Sequence, residues 1–188
     1  MKRYLMVFLA VLLFSTAASA QIDGYLCLFA DVDHSVWCAN AATIPGSINM
    51  YVYMLPEAGG SFGAEFQVVY PNDPTIIRTA ETYNAAITVI MGDIANGISV
   101  GFDECKTGWF LIATQMIITS SANQGIVSIV PHPTSGGPSL ADCGPQHDKY
   151  TAVIFNELYI NYAPGSPECS QTATADMSWG AIKSMYTD

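Results

Sequence analysis

Residues 97–119, GISVGFDECKTGWFLIATQMIIT, constrain this chain more than any other stretch. Ile98, Val100 and Phe102 alternate with Ser99, Gly101 and Asp103. An apolar–polar period of two is the mark of a strand with one buried face. The turn Cys105-Lys106-Thr107-Gly108 follows, and then a long apolar run from Trp109 to Thr119. Two such runs around a polar, Gly-containing turn read as a hairpin. Strands of this kind need a second sheet to cover their apolar face, so the expected architecture is an all-β sandwich.

The rest of the chain repeats the pattern. Residues 24–30, GYLCLFA, are apolar on both faces, as in a strand covered on both sides. A loop over 31–46 ends at Pro45-Gly46. Residues 47–55 form a strand whose core face is Ile48, Met50, Val52 and Met54. Residues 63–70 form another, with Phe66, Val68 and Tyr70 inward and Glu65 and Gln67 outward. Residues 75–84 read as a connection with an irregular strand, 85–91 as a strand, and 93–96 as a turn. A strand over 125–130, a long loop over 131–146 and a long last strand over 152–162 complete a set of about seven to nine. The expected core is Met50, Val52, Phe66, Val68, Ile98, Val100, Ile112, Ile126, Val130, Ile154 and Leu158.

Both ends differ from this pattern. Lys2 and Arg3 precede an apolar run from Tyr4 to Phe14, and Ala18-Ser19-Ala20 is a small-residue cleavage site. This predicts a secretory signal peptide over 1–20. A membrane anchor is the alternative, but the run is shorter than the roughly 18 residues a spanning helix needs. Residues 21–169 are the expected sandwich domain. Residues 170–188 are a tail, in which Trp179, Ile182 and Met185 fall at helical spacing. That tail reads either as a short terminal helix or frayed end, or as an address for export or attachment.

Composition narrows the partners. Without the leader the chain keeps 16 acidic and 4 basic side chains. Such a surface repels phosphate backbones and anionic membranes, which argues against nucleic acid and lipid partners. The location expected from the leader is extracellular or the cell envelope. Five cysteines, Cys27, Cys38, Cys105, Cys143 and Cys169, then read as disulfide formers, with an odd one left over. If each strand after the central turn reverses direction, Cys105 and the loop carrying Cys143 return to the same end of the sandwich. Cys105–Cys143 is therefore an expected bridge.

No catalytic constellation is apparent. The chain lacks GxSxG, HExxH and a phosphate-cradling Gly loop. An enzyme is not expected, and neither is a cofactor. A hydrolase whose acids meet only in space would need two carboxyl groups roughly 5–9.5 Å apart in a cleft. Asp31, Asp33 and His34 are weak candidates for a metal site, since loop carboxylates can hold calcium, but the Gly and Glu positions of an EF-hand loop are missing. Trp37, Trp109, Tyr51 and Tyr53 are candidate recognition aromatics. Exposed rings can stack on sugars or on a protein partner, and covered ones would be core.

The segments GYLCLFAD, GDIANGISVGFDEC, IVPHP and ELYINYAPGSPEC resemble uncharacterised secreted bacterial proteins of similar length. The closing WGAIKSMY is similar to a C-terminal segment of the form Trp-Gly-x-Ile/Val-Lys-x-Leu/Met-Tyr. The resemblance implies an immunoglobulin-like or cohesin-like sandwich and no particular activity. The likeness to cohesins lies in the strand pattern only, and no motif here carries over dockerin-binding residues. It further implies that the first strand lies parallel beside the last. That would bring Cys38 to Cys169 as a second bridge and leave Cys27 as a buried thiol. The reading is a secreted, non-catalytic structural or interaction module with a protein or glycan partner at the cell surface. The alternative is a carbohydrate-binding module using Trp37, Trp109 or the Tyr51/Tyr53 face.

Overall fold

Residues 24–169 are described by the computed structural model, and the expected signal peptide (1–20) and tail (170–188) lie outside the described residues. Among the described residues β-branched and aromatic runs between Gly- and Pro-rich turns give strands and no helix. In chain order these are β1 (Tyr25–Phe29), β2 (Cys38–Ala39), β3 (Gly46–Leu55), β4 (Ser61–Val69), β5 (Ile76–Tyr83), β6 (Ile87–Asp93) and β7 (Gly97–Lys106). Then follow β8 (Phe110–Thr119), β9 (Gly125–Val130), β10 (Ser139–Asp142), β11 (Lys149–Thr151), β12 (Val153–Ile154) and β13 (Leu158–Ile160). The count exceeds seven to nine because five strands are only two to four residues long.

Two sheets pack face to face, as the alternation demands. The first runs β12-β1-β3-β8-β5, with β1 and β12 parallel and the other pairs antiparallel. In the second, β6, β7 and β4 are antiparallel neighbours. The far edge of β4 is shared: β10 pairs with its first half and β9 with its last residues. β9 and β10 thus lie end to end, with residues 131–138 as an excursion between them. β11 continues the sheet beyond β10, and β13 and then β2 continue it beyond β9.

Three expectations are corrected. The stretch 97–119 is not a hairpin. β7 is held by β4 and β6, and β8 by β3 and β5, so the chain crosses from one sheet to the other at residues 107–109. A corner between sheets and a hairpin share the same local signals; here the apolar faces meet across the core, with the Phe102 and Phe110 rings 4.8 Å apart. β7 instead forms a hairpin with β6. Its turn is tied by Asp93, whose carboxylate accepts the Ala95 and Asn96 amides and the Asn96 side chain.

The long last strand is also broken. β12 belongs to the first sheet and β13 to the second. At the switch, Asn156 Oδ1 accepts from Leu28 N (2.9 Å) while its Nδ2 donates to Leu28 O (2.7 Å). The side-chain amide takes the place of a strand neighbour for β1, which frees the backbone to cross. Finally, the expected loop 131–146 contains β10, whereas the irregular strand expected in 75–84 is present as β5, with a register shift between Arg78 and Glu81.

Between the sheets lie Leu26, Leu28, Met50, Val52, Met54, Phe66, Val68, Ile98, Val100, Ile112 and Leu158, all buried. Burying such side chains stabilises by about 1.5–3 kcal/mol each. Ile126, Val130 and Ile154 are not in this core. The inward face of β9 is Val127 and Ile129, because Ser128 stands on the same side as Ile126 and Val130, and a strand presents its polar member to water. Ile154 sits on a two-residue edge strand and is exposed. Both expected bridges are present: Cys38–Cys169 and Cys105–Cys143, with Cys27 a buried free thiol.

Candidate functional site

The outward face of the first sheet is covered on its β1–β3 side, while its β8–β5 side exposes Met116 and Ile77. On the first sheet, the outward side chains of β1 and β3 are Tyr25, Cys27, Phe29, Tyr53 and Leu55, and they form a second apolar cluster. Trp37, Tyr51 and Trp109 pack against it half-buried. The loop 31–37 folds over this cluster. Tyr53, 7% exposed, donates its hydroxyl proton to Val32 O, and the His34 ring stacks on Trp109 at 4.5 Å. Trp37 Nε1 donates to Glu168 O, and the Cys38–Cys169 bridge anchors the same segment.

The four candidate aromatics are therefore brought together, with His34 among them, into packing rather than onto an open platform. Asp31 is the pin of the covering loop. Its oxygens accept from Ser35 N, Ser35 Oγ and Val36 N at 2.6–2.9 Å. Partial burial pushes its carboxyl up, but the hydrogen bonds from Ser35 and Val36 outweigh burial and hold it below the usual carboxylate range. Burial pushes the His34 imidazole down, against the pull of Asp31 and Asp33. Asp33 is exposed. Among the described residues no group of three or more His, Cys, Asp or Glu is placed to share a metal ion.

The outward face of the second sheet is bare, and it was not singled out from the sequence. Alternation sends Gly63 and Glu65 of β4, Ser99 and Gly101 of β7, and Ser139 and Ala141 of β10 to this side. Small residues here leave a shallow groove of about 210 Å³. Gly63 is required for it: a Cβ there would stand 2.6 Å from Val100 O, so β4 and β7 could not keep their register. Glycine inside a strand pattern signals such close approach, and that signal was available in the sequence.

One wall of the groove is apolar, with Val89 50% and Met91 62% exposed on β6. The other is polar. Lys149 Nζ donates to both oxygens of Glu65 at 2.7 and 2.8 Å, and Ser99 Oγ donates to Oε1 at 3.1 Å. Burial pushes the Glu65 carboxyl up; the hydrogen bonds from Lys149, Ser135 and Ser99 more than reverse this, leaving it lowered and ionised. The arrangement offers a fixed charge pair beside an apolar ridge. It holds no nucleophile–base pair.

Solved structures place this architecture. A type III cohesin module from the cell-surface anchoring scaffoldin ScaE of Ruminococcus flavefaciens superposes with a TM-score of 0.54 at 12% identity, over 76% of this chain and 89% of that one. The fold is cohesin-like. A cohesin of Clostridium thermocellum, solved as the Coh-OlpC–Doc435 cohesin–dockerin complex, gives 0.53 at 10% identity over 77% and 96%. The cohesin module of a family 33 glycoside hydrolase from Clostridium perfringens gives 0.52 at 10% identity over 74% and 97%. No protein-family model and no curated protein matches the chain. At these identities the cohesin likeness is one of fold.

Proposed function

We propose that this chain is a secreted, non-catalytic protein-interaction module of the cell surface or the extracellular space. Its binding surface is the bare outward face of the second sheet. The observation that carries this reading is the groove on the second sheet, which exposes Val89 and Met91 beside a floor of small residues, whereas a loop and a bridged segment cover the β1–β3 side of the other face. Exposed apolar surface rimmed by polar groups marks an interaction site. Solved cohesin–dockerin complexes among the structural neighbours support a protein as the occupant, and two disulfides suit an oxidising compartment.

The glycan-binding alternative would use Trp37, Trp109, Tyr51 and Tyr53, and the burial of Tyr53 counts against it. A photo-crosslinking amino acid at position 141, on the bare face, tests the proposal against one at position 51. In producing cells, position 141 is expected to yield protease-sensitive adducts and position 51 none. Protease-resistant adducts from position 51 alone, or a glycan that quenches the Trp37 and Trp109 fluorescence, would replace the proposal with the glycan reading.

A further inference from the structure

Sheet edges are the other exposed feature of this molecule, and they are unequal. β2 and β12 are two residues long and β11 three, too short to template a new strand. β5 is long, but it carries Arg78 and Glu81 and shifts register between them. Charges, bulges and shortness are the usual protections of an edge. β6, seven residues long, has almost none of them. Ile87 to Gly92 contains no charge and no proline, and its one register shift lies at its start, between Ile87 and Val89. It pairs with β7 on one side only. Val89, Ile90 and Met91 are exposed in succession, on both faces of the strand.

That succession has a geometric meaning. Val89 and Met91 stand opposite Gly101 and Ser99, on the bare outward face, while Ile90 stands opposite the inward Val100. Ile90 is exposed because the sandwich is open at this edge. A strand laid along β6 would close that mouth with the residue facing Ile90 and extend the groove with the residues facing Val89 and Met91.

Charge decides what kind of strand. The chain has a formal net charge of −10, so a second copy approaches against repulsion. All three described cations are already engaged: Arg78 with Asp93, Lys106 with Asp103 and Glu104, and Lys149 with Glu65. At the start of β6 the balance is negative. Asp103 N donates to Ala86 O there, and Asp103 and Glu104 share the single Lys106, with the Glu104 side chain 75% exposed.

We propose that β6 is a receptor edge: the protein partner adds an extended segment to it as a further strand, apolar at alternate positions and carrying Lys or Arg where it passes Asp103 and Glu104. This rests on the interaction-module reading and names its binding mode. Main-chain hydrogen bonds supply the affinity in such strand addition, and alternate side chains supply the selectivity.

The test is selection of a displayed library of random 12-residue peptides on the purified chain, followed by amide hydrogen exchange with the best synthetic peptide. The expected winners alternate β-branched or aromatic residues and carry basic ends, and they slow exchange at residues 87–93. Two variants place a charge of either sign at the edge, Ile90→Lys and Ile90→Glu. Both are expected to weaken the peptide at least tenfold, because either charge blocks a neighbouring strand. A purely electrostatic surface would instead bind tighter to Ile90→Glu. Should either variant not fold, the exchange footprint on the unaltered chain decides. No enriched sequence, a footprint away from 87–93, tighter binding by Ile90→Glu, or a dimer in sedimentation that Ile90→Lys dissolves would each overturn the proposal. Crosslinks from position 141 together with any of these would leave the module reading standing and remove only the receptor edge.

Discussion

Substituting Gly60 by alanine probes how the Cys105–Cys143 bridge is seated. β7 and β10 flank β4 on opposite sides, so a bridge between their ends must pass over the start of β4. Gly60 is the residue beneath it. Its φ is +83°, and a Cβ would stand 2.5 Å from Cys105 Sγ, 3.0 Å from Lys106 O and 3.1 Å from Cys143 Sγ. The left-handed backbone alone costs an alanine about 1–2 kcal/mol. Overpacking adds about 1–3 kcal/mol, so Gly60→Ala should cost about 2–5 kcal/mol with the bridge intact. Removing the bridge as Cys105→Ala/Cys143→Ala should itself cost about 4 kcal/mol, from the loop-closure entropy of a 38-residue separation. In that background the sulfurs are gone, and Gly60→Ala should cost less than with the bridge intact: about 1–2 kcal/mol for the left-handed backbone, plus what the remaining contact with Lys106 O adds. Urea unfolding of the four proteins gives the cycle, with a thiol count in denaturant confirming which contain the bridge. Equal costs for Gly60→Ala in both backgrounds would refute the reasoning and leave the glycine serving backbone conformation alone.

Other perturbations separate core from surface and pin from lid. Ile112→Ala should cost about 2–4 kcal/mol and Ile126→Ala under about 1 kcal/mol by thermal melting, since the first side chain is fully buried and the second 38% exposed. Asn156→Ala leaves the Leu28 amide and carbonyl without their side-chain partners and should cost about 1–3 kcal/mol, with faster amide exchange at Leu28. The Asp31 carboxyl is lowered in the folded chain, so its contribution is fully present above the unfolded value of about 4 and is lost as pH falls through the folded value. The melting midpoint should therefore drop below about pH 4, and Asp31→Asn should lower it at neutral pH while flattening that acid drop.

Alternation was legible wherever a polar residue marked the outward face. Glu65 and Gln67 fixed the facing of β4, and Ser99 and Asp103 that of β7. The same rule applied to Ser128 would have turned β9 the right way, but four aliphatic neighbours masked one serine. Local pattern carried no information on which sheet β8 joins, because its partners β3 and β5 lie tens of residues away in sequence. The fate of Trp37 was equally non-local: its indole is fixed by Glu168, 131 residues on. The bare face escaped notice because its signature is smallness. Gly63 signals a close backbone approach, but Gly63, Gly101 and Ala141 become a surface only once three strands are aligned.

The end-to-end placement of β9 and β10 sets where this scaffold can vary. Each half is registered separately on β4, so the intervening segment 131–138 can change length without disturbing either ladder. Its base is fastened: His132 Nδ1 accepts from the Thr134 amide, and Pro133 closes on Gly97, where a Cβ would be 2.6 Å from the ring. Its tip is not, since a side chain at Gly136 or Gly137 would meet nothing within 4 Å. Ser135, close to that tip, helps hold the Glu65 carboxyl on the groove wall below its usual range. Insertions there would be read out directly on the bare face, while the sandwich beneath keeps its stability. The position is a natural graft site, at which a library of loops could redirect recognition without redesigning the domain.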